Sequence, residues 1–372
     1  MSERLIDHRL KELAAASDPR TRCRALLALA ELRSRLGLLD LAQSHLDEAE
    51  RTAAAQGWVD LQLRLDAMRT MVAYYSGDLE GALRESVRIR KASMERDGEL
   101  VAHCDASIAV VLFRLGVLDE ALIAAERALA RADTTGDGIN RFRALTVIGS
   151  VKGMRGDADG SIDAYRAAIA QARALGDEML TAGAIERMSW TYVARLQRDA
   201  DAGSVDAEDL KQALVAARNA EMFTEEAQLP ALAQLAKISI GFLYVLADQP
   251  RLAAETLQSV LPEFARGFGR QAMEPAVGYA ALAEAHAKLG DAAAAAECVD
   301  RALASVPPTF DERSLLIFHG TVARVMDRIG RPHAATYHRT QQQRVQSDAV
   351  NNRAALLGRW KDLLVAAELI AV

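Results

Sequence analysis

The chain has 372 residues, with 45 Lys and Arg against 51 Asp and Glu, and its net charge of −6 argues against bulk attraction to nucleic acid or to an anionic membrane. Hydrophobic residues make up 51% but aromatics only 5%, so the apolar content is mostly Ala, Leu and Val, the material of close helix packing. Cys23, Cys104 and Cys298 are scattered without Cys-x-x-Cys spacing, which points away from both a disulfide framework and a zinc site.

The opening stretch, residues 1–18, is charged and amphipathic and lacks the apolar core of a secretory signal. No window approaches the roughly 20 apolar residues that span a bilayer, so a cytoplasmic location is expected. The Ala- and Arg-rich usage points to a bacterial source. From there the chain repeats itself. Segments such as RLGLLDLAQSHL at 35–46, YSGDLEGALRES at 75–86, RLGVLDEALIAA at 114–125 and KLGDAAAAAECV at 288–299 each place a glycine after a helical pattern and a small residue five positions later. Anchored on Gly37, Gly77, Gly116 and Gly156 the spacings are 40, 39 and 40 residues, and Gly290 to Gly330 is again 40. Between Gly156 and Gly290 two degenerate units are predicted, one around Ser189, Tyr192 and Ala213 and one around Gly241, Tyr244 and Ala253. An exposed loop is predicted at about 197–207. Its Asp199-x-Asp201-x-Gly203 run lacks the glycine and terminal glutamate of a calcium loop.

Small residues recur at fixed offsets in these units: Ala30, Ala42 and Ala49; Thr70 and Ala82; Ala109, Ala121 and Ala128; Gly149, Ser161 and Ala168; Ala283, Ala295 and Ala302. This pattern resembles the tetratricopeptide repeat (TPR) family, over residues 20–345. The period near 40 exceeds the family's usual ~34 residues and is similar to the long-repeat bacterial regulatory type. Asp105 stands where the family often has tryptophan. The resemblance implies an all-α, right-handed superhelical solenoid of about eight helix–turn–helix repeats over residues 1–345. A long helix follows, with residues 346–372 capping the last repeat or pairing with a second chain through Leu356, Leu357, Trp360, Leu363 and Leu364.

No phosphate loop, His-Glu-x-x-His pair or Gly-x-Ser-x-Gly elbow occurs in the sequence. Gly267-Phe268-Gly269 follows a helical pattern rather than a strand, and His333 and His338 are too far apart in register to share a helical face. The expectation is a non-enzyme, with no catalytic residues, no metal and no cofactor.

The resemblance also implies that the first helix of each pair lines a concave groove. The transferred register puts Arg64, Met68, Met71 and Tyr75 there, then His103, Phe113 and Arg114, then Arg143, then Arg187 and Trp190, then Phe242. Aromatic and Met side chains with interspersed arginines suit a protein or peptide partner carrying acidic and apolar side chains. The leading expectation is a scaffold or regulator in bacterial signalling that holds such a partner. One alternative is a sensory, dimerising module related to the TPR part of bacterial diguanylate cyclases, through the similarity of residues 331–357. Another is a peptide-controlled TPR phosphatase-type regulator, which fits the length, although the N-terminus leaves little room for a separate bundle ahead of the repeats.

Overall fold

The computed structural model describes residues 2–268, 273–307 and 312–370, all of whose regular elements are α-helices. Two compact units divide the chain, one formed by residues 1–151 with 354–372 and the other by residues 152–353.

The first unit holds α1 (Ser2–Ala15), α2 (Pro19–Arg35), α3 (Leu39–Gln56), α4 (Val59–Ser76), α5 (Leu79–Ser93), α6 (Gly98–Arg114), α7 (Leu118–Thr135) and most of α8 (Gly138–Met154). Their boundaries follow from caps. Asp18, Asp78 and Asp97 each accept a hydrogen bond from a backbone N–H of the first turn. At the other end, Gly77 closes α4 at φ 93°, a left-handed conformation costly for any residue with a Cβ. The predicted anchors Gly37, Gly77, Gly116 and Gly156 all have positive φ, and so do Gly57, Gly136 and Gly176 at the ends of second helices. Over residues 19–176 the 40-residue repeat is therefore two helices, each with its own glycine stop except α5, which ends at Ser93 without one. Ala30, Ala42, Ala49, Ala109, Ala121 and Ala128, expected where helices approach most closely, are all fully buried.

The second unit holds α9 (Ala158–Ala174), α10 (Glu178–Asp201), α11 (Ala207–Glu226), α12 (Pro230–Leu246), α13 (Pro250–Phe268), α14 (Glu274–Lys288), α15 (Ala292–Ala304), α16 (Glu312–Arg328) and the first part of α17 (Pro332–Ala366). Helix α10 continues through Asp201 because Leu196 and Gln197 are buried, and the connection to α11 is residues 202–206. The two degenerate units are the pairs α10/α11 and α12/α13. Helix α10 still stops on a glycine, Gly203 at φ 86°, whereas α11 and α12 stop on Gln228 and Asp248, which take the left-handed place with φ 55° and 54°.

In both units the first helices of successive pairs touch one another: α2 with α4 and α4 with α6, then α10 with α12, α12 with α14 and α14 with α16. Such contact puts the first helices on the inner face of each unit. Helix α16 also returns to α10. Within the pair, Gly241 lets α12 pack closely against α13, since a Cβ there would lie 2.5 Å from Leu257 Cγ. Gly241→Ala should therefore lower stability by about 1–3 kcal/mol through overpacking, although alanine is the better helix former. Urea unfolding of the variant checks this, and a stability gain would show that the helices can part at no cost.

Candidate functional site

The inner face of the first unit gathers side chains from four helices around Arg143, on the first half of α8. Its Nη2 donates to Glu31 Oε1 on α2 at 2.7 Å, and its Nη1 lies 3.0 Å from His103 Nδ1 on α6 and 3.2 Å from Asn140 Oδ1. The sulfur of Met71 on α4 is 3.4 Å from Nη2. An arginine on the fourth inner helix thus reaches the first, and the guanidinium, 17% exposed, sits at the centre of the face.

The geometry fixes the state of His103. Arginine can only donate, so Nδ1 must carry a lone pair and the ring proton sits on Nε2. Burial, with the nearby cation of Arg143 adding to it, pushes the His103 pKa down to about 3. An unfolded chain takes up this proton below about pH 6.5, whereas the folded one keeps the ring neutral far lower. Stability should therefore fall as pH drops from 7 toward 4, by on the order of 2 kcal/mol at pH 5 from this residue. Urea midpoints measured against pH should show a shallower slope for His103→Gln, and parallel slopes would contradict the assignment.

The remaining expected residues of this unit flank the centre. Arg64 on α4 bridges to Asp97 at 2.8 Å and Glu99 at 3.2 Å, at the start of α6. Met68 is half-buried against the core of Cys23, Leu26 and Leu65. Tyr75 is 43% exposed and meets Tyr74 edge-on at 5.2 Å. Arg114 is exposed at the end of α6 with its guanidinium 5.7 Å over the Tyr74 ring, and Phe113 beside it is half-buried. The surface is thus an arginine centre flanked by methionine, tyrosine and further arginines.

The other three expected residues belong to the second unit and are not brought together in the same way. Arg187 is exposed on α10, while Trp190 is packed into the core. Phe242 has no exposed surface. Helix α12 is apolar nearly all round and touches α10, α11, α13 and α14, so every side of it near Phe242 is covered.

A second arginine cluster in that unit was missed by the sequence pattern. Arg324 on α16 donates to both carboxylate oxygens of Glu284 on α14, at 3.1 and 2.8 Å, to Gln197 Oε1 at 3.1 Å, and to Asp201, the last two on α10. Glu284 is almost fully buried. Two carboxylates face this one guanidinium, whereas Arg143 faces one carboxylate and a neutral imidazole, so the first-unit centre is the better place for an incoming acid.

Among the described residues, no group of three or more His, Cys, Asp or Glu side chains is placed to hold a metal ion. No described helix is long and apolar enough to cross a membrane.

No protein-family model matches the sequence, and no curated protein matches it significantly. Solved structures do match. A Rap protein complexed with competence and sporulation factor is similar at 15% identity and a TM-score of 0.60, over 89% of this chain and 88% of that one. The apo form of RapI is similar at 13% identity and a TM-score of 0.63, over 89% of this chain and 99% of that one. A tetratricopeptide repeat protein from Parabacteroides merdae is similar at 13% identity and a TM-score of 0.50, over 82% and 98% of the two chains. At these identities the likeness is one of fold, and the chain has the all-helical TPR-type repeat fold shared by these structures.

Proposed function

We propose that the chain is a non-catalytic scaffold or regulator of bacterial, cytoplasmic signalling whose first unit holds a protein or peptide segment on its inner face. The observation that carries this reading is Arg143. It is a largely desolvated guanidinium at the centre of a concave face, paired with a single carboxylate from a helix three pairs away in sequence. A guanidinium in that setting binds a carboxylate through charge-assisted, geometrically selective hydrogen bonds. Met71, Tyr75 and Met68 beside it offer apolar area with adaptable shape. The segment it fits has an acidic group flanked by apolar side chains. The solved Rap complex, in which a chain of similar fold carries a bound factor, supports the same reading.

A peptide array probed with wild type and Arg143→Ala tests it. Wild type should select sequences containing Asp, Glu or a free terminal carboxylate. The variant should lose about 10- to 100-fold in affinity for them, the worth of a charged hydrogen bond of ~1.5–3 kcal/mol. Arg187→Ala should leave binding unchanged. Equal affinity of wild type and Arg143→Ala for the selected peptides would overturn the proposal.

A further inference from the structure

The C-terminal segment makes a second arrangement, away from the inner face, that the repeat pattern does not account for. Its receptor is built around Asp105, the residue that stands in place of the family's tryptophan. Asp105 is buried on α6 and accepts from Arg90 Nε on α5 at 2.7 Å, while Arg131 Nε on α7 lies 3.1 Å from its other oxygen. Arg90 is itself only 2% exposed, and its Nη2 reaches Glu368 Oε2 at 3.2 Å. Arg127 on α7 donates to the backbone carbonyl of Ala367 at 2.9 Å and to that of Glu368. Arg359 lies 3.5 Å from Glu80 on α5. Below these polar contacts Trp360, Leu364, Ala367 and Leu369 are buried.

The arrangement is that of a receptor and its ligand. The C-terminal end of a helix carries the negative end of its dipole, and Arg127 takes the two successive carbonyls of Ala367 and Glu368 that directly follow α17. Glu368, at φ 59°, ends the helix in a left-handed turn in which Leu369 N donates to Leu364 O at 2.9 Å. The receptor does not depend on this occupant, because Arg90 and Arg131 are already held by Asp105. The occupant also fits imperfectly: among the described residues the buried Trp360 Nε1 has no hydrogen-bond partner, and the Glu368 side chain is 66% exposed. An unmet buried donor weakens the docked state, while the tether offsets this by keeping the segment at high local concentration.

We propose that the surface formed by α5 and α7 over Asp105 is a docking site for the C-terminal end of an amphipathic helix, and that its occupant is the chain's own residues 359–369, held as a displaceable ligand. The same side that the sequence offers for pairing with a second chain is used within the chain: Trp360 and Leu364 are buried there.

The test uses the full chain and a fluorescein-labelled synthetic peptide of residues 354–372. Wild type, its site filled, should bind the peptide weakly. Leu364→Asp, which undocks the chain's own segment, should bind it at least tenfold more tightly, and adding Arg127→Ala should remove that gain. Glu368→Lys, altered at an exposed side chain, provides a second variant for which misfolding is no concern, and it should show a smaller gain in the same direction. In wild type, hydrogen exchange of amides in 359–369 should be at least 100-fold faster than in the middle of α6. Equal peptide binding by wild type and both undocking variants, binding indifferent to Arg127→Ala, or tail amides as slow as those of α6 would each overturn the proposal.

Discussion

Replacing Asp105 with Ala is expected to destabilise the first unit by about 3–5 kcal/mol, the cost of stranding a buried charge by removing its partner. Arg90 is 2% exposed and Asp105 3%, and their 2.7 Å contact is joined by Arg131. Burial raises the Asp105 carboxyl above its ordinary value even though Arg90, Arg131 and Arg127 all oppose that shift, so the pair stands near the limit of what its cations can offset. Removing both charges should hurt far less: Asp105→Leu with Arg90→Met replaces an ion pair by apolar volume, an exchange that is often neutral or stabilising. Urea unfolding, followed by hydrogen exchange in α6, measures both. A loss below about 1 kcal/mol for Asp105→Ala would mean that water reaches Arg90 in solution.

Arg324→Ala is expected to have a comparable effect, about 3–5 kcal/mol, on the second unit. It leaves Glu284 buried without its cation and strips Gln197, also buried, of a donor. The distinguishing result lies in the rescue. In the Arg324→Ala background, Glu284→Gln removes the stranded charge and should recover a large part of the loss, whereas the same substitution in wild type should be destabilising. If Glu284→Gln gives no recovery, the loss comes from packing of the arginine's stem rather than from the uncompensated carboxylate.

The repeat was legible because its cause is local. A helix that must stop and reverse needs a left-handed residue, and Gly37, Gly77, Gly116, Gly156, Gly290 and Gly330 all occupy that conformation. In the two degenerate units the marker is displaced or missing: the longer α10 puts its glycine at Gly203, out of the 40-residue register, and α12 stops on Asp248 instead. The candidate site was legible only as a face. The register implied by the TPR resemblance placed Arg64, Met71, Tyr75, His103 and Arg143 on one side of the first helices, but the meeting of Arg143 with Glu31, 112 positions apart, depends on how tightly successive pairs curl. No short window carries that information. Phe242 is buried for a related reason: helix α12 is apolar nearly all round, so its sequence does not mark which side faces inward. The tail contact was hidden further still. Arg90 and Glu368 are 278 positions apart, and no local pattern in the sequence marks their meeting.

Both units turn an arginine from a late inner helix back upon an earlier carboxylate, yet only the first leaves that arginine facing a single acid. That difference is why the proposed partner is assigned to the first unit. The measurement that tests it most directly is a crystal structure of the full chain with an acidic peptide selected on the array. A peptide carboxylate is expected on Arg143 in place of Glu31, with Met71 and Tyr75 against the peptide's apolar side chains. A peptide seated elsewhere, with the Arg143–Glu31 pair intact, would contradict it.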